Sequence, residues 1–164
     1  MDDSTKKSLN SILDSFDAKR EADRKKAERK KTEHEIFLEQ FTEKAKSVIH
    51  PVLEQVAEIL KSRGHNSEIR EQKEGVDLEG RTVNAGITLT IFPLGQHPRY
   101  PSQPDCPHVA FMVKSYENKI YVHERTMMPM RGGHAAIAGE YTLDKVTSEL
   151  VEKHIISVLQ QAMG

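Results

Sequence analysis

The chain has 164 residues, with 24 Lys and Arg against 25 Asp and Glu and a formal net charge of −1. That length and a hydrophobic fraction of 37% fit one compact domain plus a solvated extension, and the balanced charge singles out neither nucleic acid nor membrane as a bulk partner. A lone cysteine, Cys106, rules out an intrachain disulfide framework. No apolar run approaches the roughly 20 residues of a membrane helix, and the first residues lack the apolar core of a signal peptide. A cytoplasmic protein is expected.

Residues 1–31 read as a charged extension, helical or partly disordered. Within it, residues 8–18 form a short amphipathic segment: Leu9, Ile12, Leu13 and Phe16 recur at helical spacings of three and four. Nothing local covers that stripe, so fold-back or self-association is expected, as in a coiled-coil homodimer. Docking into a foreign groove is the less economical reading. Lys19–Lys31 follows with eight basic and three acidic residues and only two alanines as apolar positions. High helix propensity without a face to bury describes a solvated helix. The interspersed acids repel phosphates, which places nucleic-acid binding through this tract third among the functional readings.

Residues 32–164 read as a single α+β domain. Phe37, Phe41, Ala45, Val48, Val52, Val56 and Leu60 make one stripe that keeps phase across Pro51, predicting a long helix kinked there and ended by Arg63-Gly64. SEIREQK suits an edge strand and EGVDLEG a turn. RTVNAGITLTIF alternates strictly and predicts a central strand, with Val83, Ala85, Ile87, Leu89 and Ile91 inward and the threonines outward. PHVAFMVKSYENKIYVHERT predicts a hairpin turning on Glu117-Asn118, which would pair Met112 with His123. A short strand including Tyr141 and a helix from Leu143, capped by Asp144, complete the order. The expected fold is a two-layer domain: an antiparallel sheet of four to five strands, with a long N-terminal helix and a C-terminal helix on one face. In outline this order resembles the small dimeric secretion chaperones, a likeness that carries no residues across.

The outer sheet face collects Lys114, Tyr121, His123 and Arg125, hydroxyls and cations suited to a peptide or anionic ligand, although such residues are routine on a wet sheet face. The proline-rich loop 93–107 displays Arg99 and Tyr100 as further contacts. Residues 127–139, including Gly132-Gly133, read as a loop without a phosphate-binding pattern. No nucleophile–base–orienter set is identifiable, and eight histidines with no ligand spacing give no metal site. Neither a cofactor nor a catalytic residue is expected. The leading expectation is a small non-catalytic binding or adaptor protein that self-associates and recognises a protein or peptide. The alternative is a ligand-binding or enzymatic domain using the outer face and the 127–139 loop.

Overall fold

The structure is a computed structural model and describes residues 2–95, 106–128 and 132–164. The chain divides into two compact units, Met1–Ile36 and Phe37–Gly164. In the first unit the chain is helical from Asp3, as part of α1 (Asp3–Lys44). Its charged stretch is laced by local pairs: Arg24 donates to Glu21 at 2.6 Å and to Glu28 at 2.8 Å, the i,i+3 and i,i+4 contacts that support a helix with no buried face. The tract read as helical or only partly formed is therefore a helix. No helix among the described residues is long and apolar enough to cross a membrane.

The second unit is an α+β domain. The last turns of α1, a π-helical turn at Ala45–Ile49, and α2 (His50–Ser62) pack one helical layer. The kink expected from Pro51 takes a specific form. Proline lacks an N–H and clashes with the preceding turn. The ladder widens to an i→i+5 bond from the His50 N–H to the Ala45 carbonyl, leaving Pro51 in the first turn of α2. The end of α2 matches its sequence signal. Gly64 sits at φ +85°, the His65 N–H donates to the Leu60 carbonyl and the Gly64 N–H to Lys61, closing a left-handed cap.

Seven strands follow among the described residues: β1 (Asn66–Gln72), β2 (Gly75–Val76), β3 (Thr82–Val83), β4 (Gly86–Phe92), β5 (His108–Lys114), β6 (Lys119–Arg125) and β7 (Ala135–Tyr141). Five form an antiparallel sheet in the order β1-β4-β5-β6-β7, with the charged β1 at one edge, while β2 and β3 pair as a separate ribbon. α3 (Ser148–Met163) closes the chain. The core lies between helices and sheet: Ile49, Leu53, Ile87, Leu89, Ile91, Phe111, Val122, Val151, Ile155 and Val158 are almost wholly inaccessible. Each such side chain contributes about 1.5–3 kcal/mol of transfer free energy.

Four local expectations need correction. The alternating segment 82–92 is not one strand but breaks at Asn84-Ala85, where the Ala85 carbonyl is used by the Val113 N–H and the Asn84 carbonyl by the Gln72 side chain. The β5–β6 hairpin turns through residues 115–118 rather than two residues, with Tyr116 and Asn118 at positive φ. Its register therefore moves by two, pairing Met112 with Tyr121 and Ala110 with His123. Because strand side chains alternate with period two, that slip leaves every residue on the face expected. Residues 135–139, read as loop, belong to edge strand β7, which pairs with β6 across a bulge at Val122/His123. The closing helix starts not at Leu143 but at Ser148: Leu143–Lys145 is a single 3₁₀ turn, and the Thr147 hydroxyl, not Asp144, caps α3 by accepting from the Leu150 N–H.

Candidate functional site

β6 sends alternate residues to opposite faces of the sheet, and both faces carry chemistry. On the helix side, Glu124 follows Ile120 and Val122 into the core, where it is 6% exposed. His154 of α3 meets it there. The His154 Nδ1–H donates to Glu124 Oε1 at 2.6 Å, Ser157 Oγ donates to Oε2 at 3.2 Å, and the Tyr141 hydroxyl lies 2.9 Å from His154 Nε2. His154 and Ser157 are one helical turn apart, so a single face of α3 presents both. Tyr141 reaches the imidazole by lying over Gly139, where a Cβ would come within 2.5 Å of its hydroxyl.

Sequence patterns do not anticipate this carboxylate–imidazole–hydroxyl set, because His154 reads from them as a surface residue. Its signals are nevertheless present: Glu124 is in phase with Ile120 and Val122, and His154 lies midway between Leu150 and Val158 on the apolar stripe. Chemically the set is closed. Both imidazole nitrogens are engaged inside the protein and the ring is 5% exposed, so no nitrogen is left to exchange a proton with a substrate. It locks α3 onto the sheet.

The outer face is different. His108, Met112, Tyr121, His123 and Arg125 are all half-buried there, with Thr88 and Thr90 of β4 beside them. His108 Nε2 and His123 Nδ1 are 2.8 Å apart, one donating and the other accepting, with ring centroids at 5.0 Å. Arg125 is the cross-strand partner of His108. Burial first, then the neighbouring His123 and Arg125, pushes the His108 imidazole down to about 4. Burial followed by Arg125 also lowers His123. Both rings are thus neutral at pH 7 beside a permanent cation. Arg125 Nε is buried without a hydrogen-bond partner, and its guanidinium makes no ion pair among the described residues.

The predicted contacts therefore separate. Tyr121, His123 and Arg125 share the outer face, joined by His108. Lys114 is on the same face but already engaged: its ammonium lies 2.8 Å from Glu140 and 2.9 Å from Glu117, and those carboxylates raise its pKa above the ordinary lysine value. Arg99 and Tyr100 lie outside the described residues. Cys106 is buried, while His108 is turned to His123. No group of three or more metal-ligating side chains occurs among the described residues. Leu9, Ile12, Leu13 and Phe16, in the first unit, are 44%, 65%, 56% and 58% exposed.

A second concavity belongs to the Phe37–Gly164 unit. A groove of about 890 Å³ runs between the helical layer and the ends of β1 and β4, floored by Leu38, Phe41, Ala45 and Ile87 and rimmed by Lys46 and Glu71. Its rim carries both signs of charge, so it does not select a ligand class. Comparison with protein families, curated proteins and solved structures gives no match.

Proposed function

We propose that this is a small non-catalytic binding protein that recognises a protein or peptide partner through the outer face of its sheet. The observation that carries the reading is the half-buried Arg125 guanidinium, held among neutral imidazoles with its Nε unpaired. A buried polar group without a partner costs about 1–3 kcal/mol, more for a charged one, and a bound acceptor would recover that loss. Tyr121 adds a flat apolar surface with a hydroxyl, a common contact in recognition surfaces. The enzymatic alternative has less support, because the carboxylate–imidazole–hydroxyl set found among the described residues is sealed in the core.

Partners captured from lysate by the wild-type protein should be lost or sharply depleted with Arg125→Ala and Tyr121→Ala, and retained with Glu71→Ala on the edge strand β1. Retention by both outer-face variants would refute the assignment.

Self-association belongs to the same reading. The exposed stripe Leu9, Ile12, Leu13 and Phe16 spans two helical turns on one side, and an apolar stripe of that kind in water favours pairing with a second copy. Light scattering should report a mass above that of the monomer at micromolar concentration, and Phe16→Glu should return it to the monomer. A wild-type mass equal to the monomer would remove this part of the proposal.

A further inference from the structure

The His108 end of the outer face, on β5 and β6, offers one fixed positive charge, two ring nitrogens hydrogen-bonded to each other, and two ring nitrogens outside that bond. We infer that His108, His123 and Arg125 bind a carboxylate of an acidic ligand and take up a proton as they do so. The inference rests on the outer face being the partner surface and specifies the chemistry recognised there.

The His108–His123 hydrogen bond fixes the tautomers together. Either His108 Nε2 donates or His123 Nδ1 does, and in both cases the neutral pair has one N–H and one lone pair at its two outer nitrogens. One proton converts that lone pair into a second N–H. A face with a lone pair and a guanidinium then becomes a face of donors alone, which is what a carboxylate requires.

Without a ligand the proton is resisted by burial and by the nearby guanidinium. The titratable groups of β5 and β6 at this end are His108, His123 and Arg125. β4 contributes Thr88 and Thr90, and β7 contributes Ala135 and Ile137. Beyond β4 on the same face, Glu68 of β1 is paired with Arg70 at 3.2 Å. No described carboxylate pairs with Arg125 or with either imidazole, and one brought by a ligand would. The single permanent cation at this end matches a monoanion better than a phosphate dianion, and Lys114 is already engaged by Glu117 and Glu140. By linkage, a ligand that favours the protonated pair binds more tightly as pH falls, by up to about tenfold per pH unit between the free and bound pKa values.

The test uses the full chain and two peptides followed by imidazole NMR shifts. One carries a central Glu between blocked termini; the other carries Ala there and a free C-terminal carboxylate, which separates a side-chain source from a chain-end source. Binding of either should tighten at least about fivefold from about pH 7.5 to about pH 5.5, a range in which an unperturbed carboxylate, pKa about 4, stays ionised. Arg125→Gln should weaken it at least about tenfold. The double variant His108→Gln/His123→Gln, which has no imidazole to take the proton, should bind with a flattened pH dependence. Equal affinity at both pH values, with Arg125→Gln still disruptive, would overturn proton uptake and leave the outer-face reading standing. If neither peptide shifts the His108 or His123 resonances while partner capture still depends on Arg125, the carboxylate assignment is wrong and the surface is right. If capture is also independent of Arg125, both fail.

Discussion

Glu124 and Arg125 are neighbours in sequence and opposites in circumstance. Glu124 points into the core and both of its oxygens are engaged, by His154 and by Ser157. Arg125 points to the outer face with a buried Nε that nothing engages. Each stands beside a histidine, yet one imidazole is saturated and the other pair has ring nitrogens with no hydrogen-bond partner among the described residues. A strand alternates its faces by geometry alone, so adjacent residues can serve stability and recognition independently. The completeness of the hydrogen bonding is what distinguishes the two residues.

The largest effect that sharpens this contrast is expected on the inner face. Glu124→Ala removes the acceptor for both His154 and Ser157 and leaves a buried imidazole half-satisfied. It should cost roughly 3–5 kcal/mol, read as a lower urea midpoint at unchanged slope. A loss below about 1 kcal/mol would mean that the network is incidental to stability.

The outer face should instead announce itself through pH. The folded His108 value of about 4 lies below the ordinary 6.5. Between those values the unfolded chain binds more protons than the folded one, so stability is lost as pH falls from 6.5 towards 4. With screening at a ring still partly in solvent, the effect is on the order of 1 kcal/mol. The exposed acids with lowered values, Asp77 and Glu140 among them, begin to lose their contribution as pH falls through their ordinary values of 3.8 and 4.5, at and below the lower edge of this window. Unfolding followed from about pH 7 to about pH 4.5 should therefore show a shallower slope in His108→Gln than in wild type. Identical slopes would show that His108 is not the source of the pH dependence.

The smallest effect is expected from the charged extension. Deleting residues 1–31 should move the thermal transition by no more than about 2 °C, the shift that about half a kcal/mol produces in a domain of this size. Loss of cooperative unfolding would show that these residues support the domain.

Much of the fold is legible in the sequence because apolar periodicity records it. The stripe from Phe37 to Leu60 and the alternation through Ile87, Leu89 and Ile91 predict the helix and sheet layers, and Arg63-Gly64 marks the end of α2. The errors fall where periodicity is silent. Hairpin register depends on turn geometry, and positive φ at Tyr116 is not written in a tyrosine. β7, as AAIAGEY, has little apolar contrast and is held by pairing with β6 instead. α3 starts at a threonine cap rather than at the nearer aspartate, because Asp144 is taken up in a 3₁₀ turn. For the candidate site, Tyr121, His123 and Arg125 follow from alternation. Alternation with Ala110, Met112 and Lys114 puts His108 on the same face, whereas its pairing with Arg125 is a cross-strand fact that no local pattern contains.

The proposed division of β6 into a stabilising inner face and a recognition face is tested most directly by measuring Glu124→Ala and Arg125→Ala side by side, each for unfolding free energy and for partner capture. Arg125→Ala should unfold with no loss of stability relative to wild type, because it removes a buried group that has no partner rather than a satisfied one, and should lose the partner. Glu124→Ala should lose several kcal/mol of stability and retain capture at temperatures where it remains folded. An Arg125→Ala variant as destabilised as Glu124→Ala, or one that captures its partner like wild type, would contradict the division.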